Sequence, residues 1–173
     1  MIIHNIKIAM KERELKGLFG FIRYFFSYIF GSYLLILLAE HAPNALVNVF
    51  HRMRGITIGR NVFIDRSVQI DGAFPRLVSI EDGVRIAPNV VIMAHFKAGD
   101  ELREKYYPLE TKPVKICSGA FIGVSSVILP GVTVGKCAII AAGSIVSQDV
   151  PPYTVAAGNP ARIVKKITEN PQQ

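Results

Sequence analysis

Residues 116–150 read ICSGAFIGVSSVILPGVTVGKCAIIAAGSIVSQDV. Counting from Ile116, an Ile or Val returns at every sixth position, as Ile122, Ile128, Val134, Ile140 and Val146. Four places after each stands a small or β-branched residue, Ala120, Ser126, Val132, Ala138, Ser144 and Val150. An α-helix cannot use this spacing, because six residues advance it by about 600° and leave successive aliphatics about 120° apart, never on one face. Short strands joined by turns can. If each hexapeptide is one side of a triangular coil, the aliphatics stack inward, coil upon coil, at about 4.8 Å. The Gly, Asp, Asn and Pro residues between them then take the corners.

The same period extends upstream through Ile58, Ile64 and Ile70, then Ile80, Ile86 and Ile92, followed at the fourth place by Val62, Val68, Val84 and Val90. Phe74 and Phe96 are the two exceptions at that place. Twelve hexapeptides make four coils. Two interruptions stand out: four extra residues between Ile70 and Ile80, and a longer insertion over 93–115 that holds His95, Asp100, Glu101, Arg103, Lys105, Tyr106, Tyr107 and Glu110. Insertions in a solenoid become loops on its wall, and long loops on a rigid scaffold usually carry function.

Composition agrees with a turn-rich β protein. The 173 residues are 50% hydrophobic, 9% aromatic and without Trp, with Gly 14 and Pro 10, which disfavours both disorder and a helical bundle. Two cysteines, Cys117 and Cys137, are too few for a disulfide framework and fit a reducing compartment. The net charge of +7 invites a polyanionic partner, whether nucleic acid, an anionic membrane surface or a phosphate-bearing cofactor. No nucleic-acid-reading motif or aromatic-basic platform accompanies it, so nucleic acid is not expected as a partner.

Residues 1–54 differ from the rest. Lys7, Lys11, Arg13 and Lys16 precede residues 18–38, LFGFIRYFFSYIFGSYLLILL, whose only charge is Arg23. The run is long enough to span a bilayer as a helix. Its early aromatics, the internal Gly31-Ser32 and the placement of Arg23 suit a segment lying in the membrane interface, with the basic flank facing anionic lipid. The alternative is packing on the rest of the protein or on a neighbouring subunit. The expected organisation is therefore a basic, apolar helical segment over 1–54, the solenoid over 55–157 with a loop at 96–113, and a cap, helix and tail over 158–173.

His95 ends the stretch IAPNVVIMAH, which is followed after the loop by KPVKICSGAFIGVSSVILPGVTVG. Together these resemble the galactoside and maltose O-acetyltransferase branch of the hexapeptide-repeat acyltransferases, and the resemblance covers residues 58–166. It implies a mainly β fold, a left-handed parallel β-helix with an N-terminal apolar helical segment and a short C-terminal helix. It implies acetyl-coenzyme A as co-substrate, His95 as general base for direct transfer, and the main-chain N–H of Val124, after Ile122-Gly123, as oxyanion donor. Glu110, in LETKPV, resembles a family Glu that would orient the imidazole, with Asp100 and Glu101 as rivals.

The closing segment, AGSIVSQDVPPYTVAAGNPARIVKKI, resembles that of the same family. By that likeness Ala142 and Ser147 would contact the pantetheine and nucleotide portions, and Arg162 and Lys165 the phosphates. Gln148 departs from the usual Lys, a loss that Lys166 would offset. Residues 158–161, Gly-Asn-Pro-Ala, would cap the solenoid and launch the terminal helix. On the acceptor side the resemblance points to Phe121, where a Trp is frequent, and to Asp71, near an acceptor-binding Asn of some members. Tyr106 and Tyr107 could stack on a sugar ring.

The resemblance further implies a homotrimer with active sites between subunits. The acceptor would be a hydroxyl of a sugar or a lipid-linked or surface-glycan precursor, in polysaccharide biosynthesis. A cytoplasmic trimer, peripheral on the inner membrane face, is the expected setting, since a spanning segment with its basic flank inside would carry the solenoid away from cytosolic acetyl-coenzyme A. Transfer to the amine of an amino sugar and a non-catalytic membrane-associated scaffold are the alternatives. A carbonic-anhydrase-like metal site on the same fold needs three histidines, whereas only His95 lies in the repeat, so no metal is expected.

Overall fold

The computed structural model describes residues 34–41, 44–65 and 67–168, together with Phe19 and Ile22. Two helices, α1 (Leu35–His41) and α2 (Asn44–Met53), lead into the solenoid. Most of the apolar run 18–38 lies outside the described residues; among those described, no helix is long and apolar enough to cross a membrane.

Each hexapeptide supplies one short strand whose last residue points inward. The first coil is β1 (Thr57–Ile58), β2 (Phe63–Ile64) and β3 (Gln69–Ile70); the second is β4 (Val78–Ile80), β5 (Arg85–Ile86) and β6 (Val91–Ile92). The insertion then contributes β7 (His95–Phe96), the short helix α3 (Asp100–Lys105) and β8 (Glu110–Thr111). The third coil is β9 (Val114–Ile116), β10 (Phe121–Ile122) and β11 (Val127–Ile128), and the fourth is β12 (Thr133–Val134), β13 (Ile139–Ile140) and β14 (Ile145–Val146). The chain ends in β15 (Thr154–Gly158) and β16 (Ala161–Lys166).

Three walls result, β1-β4-β9-β12, β2-β5-β10-β13-β15-β16 and β3-β6-β11-β14, parallel throughout except for the final pair. The register stacks Ile58, Ile80, Ile116 and Val134 in one ladder, Ile64, Ile86, Ile122 and Ile140 in the second, and Ile70, Ile92, Ile128 and Val146 in the third. These residues are the core, with all but Ile58 buried, and the corner positions Val62, Val68, Val84, Val90, Ala120, Ser126, Val132, Ala138, Ser144 and Val150 are buried beside them. The winding is that of a left-handed parallel β-helix, against the usual right-handed crossover preference. Coils pack closely at the corners. A Cβ on Gly123 would lie 2.6 Å from the Ala142 nitrogen and 2.7 Å from the Ile140 oxygen, main-chain atoms that cannot step aside.

The first coil has no predecessor, and helix α2 answers for it. In later coils the carbonyls of Ile80, Val84 and Ile92 accept N–H groups from the coil before. Their counterparts in the first coil are met by side chains instead: Arg52 donates to Ile58 and Gly59, Asn48 Nδ2 to Val62 at 2.7 Å, and Arg54 Nη2 to Ile70 at 2.7 Å and Asp71 at 2.9 Å.

Among the described residues the expected C-terminal helix is not found. Residues 161–166 are instead strand β16, antiparallel to β15 with Gly158 opposite Ala161 and Val155 opposite Lys165. The reason is local and tertiary at once. Gly158, at φ +102, turns the chain back through Asn159-Pro160, β15 presents an open edge, and the β-branched Ile163 and Val164 suit a strand better than a helix.

Candidate active site

His95 opens β7 at the prism edge that follows the third wall. Asp71 lies on the same edge one coil earlier, because Ile70 pairs with Ile92 and the residues after them are therefore neighbours. His95 Nδ1 is 2.5 Å from Asp71 Oδ2, with the Asp71 side chain fully enclosed and the imidazole 18% exposed. The Phe74 ring packs against the imidazole at 5.3 Å between centroids.

The carboxylate is held from all sides. Oδ1 accepts the main-chain N–H of Ala73 at 2.9 Å and of Phe74 at 2.8 Å, while Oδ2 accepts that of Ala94 at 2.8 Å besides the imidazole. Burial alone would push the Asp71 carboxyl up, but the His95 hydrogen bond and the N–H groups of Phe74 and Ala94 outweigh it and hold the group below the usual carboxylate range. An ionised carboxylate only accepts, so the shared proton sits on Nδ1, and Nε2 is the ring nitrogen that can offer a lone pair. This is the arrangement of a base oriented by a buried acid.

Two sequence expectations change here. Glu110 does not orient the imidazole: in the β7–β8 pair His95 faces Thr111 and Phe96 faces Glu110, so Glu110 is on the opposite face of the ribbon, ion-paired with Lys112 at 2.5 Å. Its rivals Asp100 and Glu101 pair with Arg103 and Lys105. Asp71, expected on the acceptor side, has both oxygens committed and its side chain fully enclosed, so it is joined to His95 and not open to an acceptor. A signal for it was present in the repeat, since Asp71 follows Ile70 as Met93 follows Ile92, two residues before His95.

The other expected residues lie elsewhere. Val124 and Ala142 stack at the edge after the second wall, where the Val124 carbonyl accepts the Gly143 N–H at 2.8 Å while the Val124 N–H has no hydrogen-bond partner among the described residues. Ser147 is on the His95 edge, two coils above Met93 in the ladder that begins with Asp71. Arg162, Lys165 and Lys166 are exposed on β16. Phe121 is half-exposed on the outer face of β10, and Tyr106 and Tyr107 are exposed on the loop, with Tyr107 edge-on to Phe96 at 6.4 Å.

A family model described as bacterial transferase hexapeptide (six repeats) matches residues 113–148. The galactoside O-acetyltransferase of Escherichia coli (strain K12) is 40% identical over 115 residues, 66% of this chain and 55% of that protein. Residues 113–148 thus carry the bacterial transferase hexapeptide repeat, and the chain resembles the acetyltransferases built on it. It spans just over half the length of that relative. Among solved structures, a hexapeptide-repeat acetyltransferase of Vibrio cholerae complexed with acetyl-coenzyme A superposes with a TM-score of 0.67 at 28% identity, covering 80% of this chain and 86% of that one. A maltose O-acetyltransferase of Clostridium difficile gives 0.61 at 28% identity, covering 78% and 83%.

Proposed function

We propose that this hexapeptide-repeat protein is an acetyl-coenzyme A-dependent O-acetyltransferase acting on a hydroxyl of a sugar or glycan precursor. The Asp71–His95 pair carries the reading, because it is a general base with its tautomer already set. A hydroxyl bonded to Nε2 gives up its proton as its oxygen attacks the thioester carbonyl. The C–S bond then breaks, and the thiolate takes the proton back from the imidazolium. No acyl-enzyme forms. The N–H of Val124, without a hydrogen-bond partner among the described residues, suits the oxyanion that develops between attack and departure, since a main-chain donor is fixed before the charge arrives.

Val124 and Ala142 stand on a different edge of the prism from His95, which supports a site closed by two subunits of a homotrimer. The exposed Ala142 and Ser147 would follow the pantetheine arm, and Arg162, Lys165 and Lys166 would meet the phosphates. Phe121, Tyr106 and Tyr107 offer exposed rings to a sugar face. The basic, apolar residues 1–38 extend the reading to a peripheral place on the cytoplasmic face of a membrane.

The test is purified full-length protein incubated with labelled acetyl-coenzyme A and a panel of galactosides, maltosides and amino sugars. Label on a sugar oxygen, absent with His95→Ala, supports the reading. Label on nitrogen alone assigns an amine acceptor, and no transfer to any sugar overturns it.

A further inference from the structure

We propose that Arg54 is a positioning residue for the Asp71–His95 pair, an inference that rests on the acetyl-transfer reading of that pair. The three capping side chains of the N-terminal region are not equivalent. Asn48 and Arg52 donate to Val62, Ile58 and Gly59, none of which holds a residue of the site. Arg54 donates to Ile70 and to Asp71 itself, so it fixes the main chain from which the orienting carboxylate projects. Both bonds leave one nitrogen, Nη2, whose two N–H groups lie in the fixed plane of the guanidinium and leave Nη1 for His51.

The guanidinium is buried and steadied from behind by His51, whose Nδ1 is 3.1 Å from Arg54 Nη1. Arginine only donates, so His51 accepts at Nδ1 and carries its proton on Nε2. Burial, then the Arg54 charge, lower the His51 pKa to about 4, which keeps this contact a hydrogen bond rather than a repulsion at neutral pH. From helix α2 to the base the order is His51, Arg54, the main chain of Asp71, its carboxylate, and the imidazole. A cavity of about 170 Å³ lies beside this row, lined by His51, Arg54, Asp71 and Gly72 with Ile36 of α1. Each bond on the Asp71 carboxylate depends on where its main chain sits, and a displacement of an ångström at a base is costly in rate.

The experiment compares wild-type protein with Arg54→Met, Arg54→Lys, Asp71→Asn and His95→Ala, all full length. One readout is the far-downfield proton resonance of the imidazole N–H bonded to Asp71, assigned by its loss in His95→Ala and Asp71→Asn. The other is transfer from acetyl-coenzyme A to whichever galactoside or maltoside the wild type accepts. Arg54→Met is expected to lose the resonance and to lower kcat by roughly 10- to 100-fold while KM for acetyl-coenzyme A stays within about twofold. Arg54→Lys is expected to fall between. Should Arg54→Met fail to fold, Arg54→Lys and the rescue of Arg54→Ala by added guanidinium ion decide on the same two readouts. An unchanged resonance and kcat in a folded Arg54 variant overturns the inference and leaves the acetyl-transfer reading standing. Equal transfer by wild type and His95→Ala overturns the reading itself.

Discussion

His95 and Asp71 are 24 residues apart in the chain and share one edge of the prism, joined Nδ1 to Oδ2 at 2.5 Å. One partner opens the first strand of the insertion that follows the second coil, and the other sits where the first coil turns. Removing the imidazole by His95→Ala should lower turnover by roughly 10² to 10⁴ with acetyl-coenzyme A affinity nearly intact. Asp71→Asn removes the acceptor that fixes the tautomer and should fall in the same range. Steady-state kinetics on both variants, with acetyl-coenzyme A binding measured by calorimetry, checks the pair.

Glu110 should behave differently. It faces away from the imidazole and its pairing with Lys112 is half exposed, so Glu110→Gln should leave kcat within about threefold of wild type. A loss as large as that of Asp71→Asn would return the orienting role to Glu110.

The buried His51 predicts a pH-dependent stability. Its pKa is 6.5 in the unfolded chain and about 4 in the folded one, so the unfolded state takes up a proton first as pH falls. Stability is therefore full above pH 6.5 and declines between 6.5 and about 4, by on the order of 3 kcal/mol at the lower end. Urea melts across that window should show the slope, and His51→Gln, which keeps an acceptor for Arg54 without titrating, should flatten it.

Gly123→Ala should destabilise the protein by about 1–3 kcal/mol, because its Cβ would meet main-chain atoms of the next coil, Ala142 N at 2.6 Å and Ile140 O at 2.7 Å. Thermal melting of the purified variant reads this directly. An unchanged midpoint would mean that the coils separate more easily at this corner than the spacing indicates.

The prism was legible in the sequence because each of its contacts repeats: an aliphatic every sixth residue can bury itself only against its counterpart one coil away. Asp71 was visible as a residue and misread in role, since the four-residue insertion before Ile80 hides that it lies directly beneath the turn into His95. Glu110 was misassigned because proximity along the chain does not reveal which face of a two-stranded ribbon a side chain takes. The strand at 161–166 escaped because Gly-Asn-Pro-Ala begins a helix or closes a hairpin equally well, and the open edge of β15 decides between them. Arg54 had no local signal at all. Its partners, Ile70 and Asp71, are brought to it only by the winding.

Arg52, Asn48 and Arg54 together have a consequence for assembly. A solenoid is by construction a column that a like column could lengthen, since the bare rim of its first turn is a row of acceptors ready for another chain's amides. Here that rim is already stoppered from within the same chain. A second molecule is thereby denied the open acceptors it would need to continue the column at that pole.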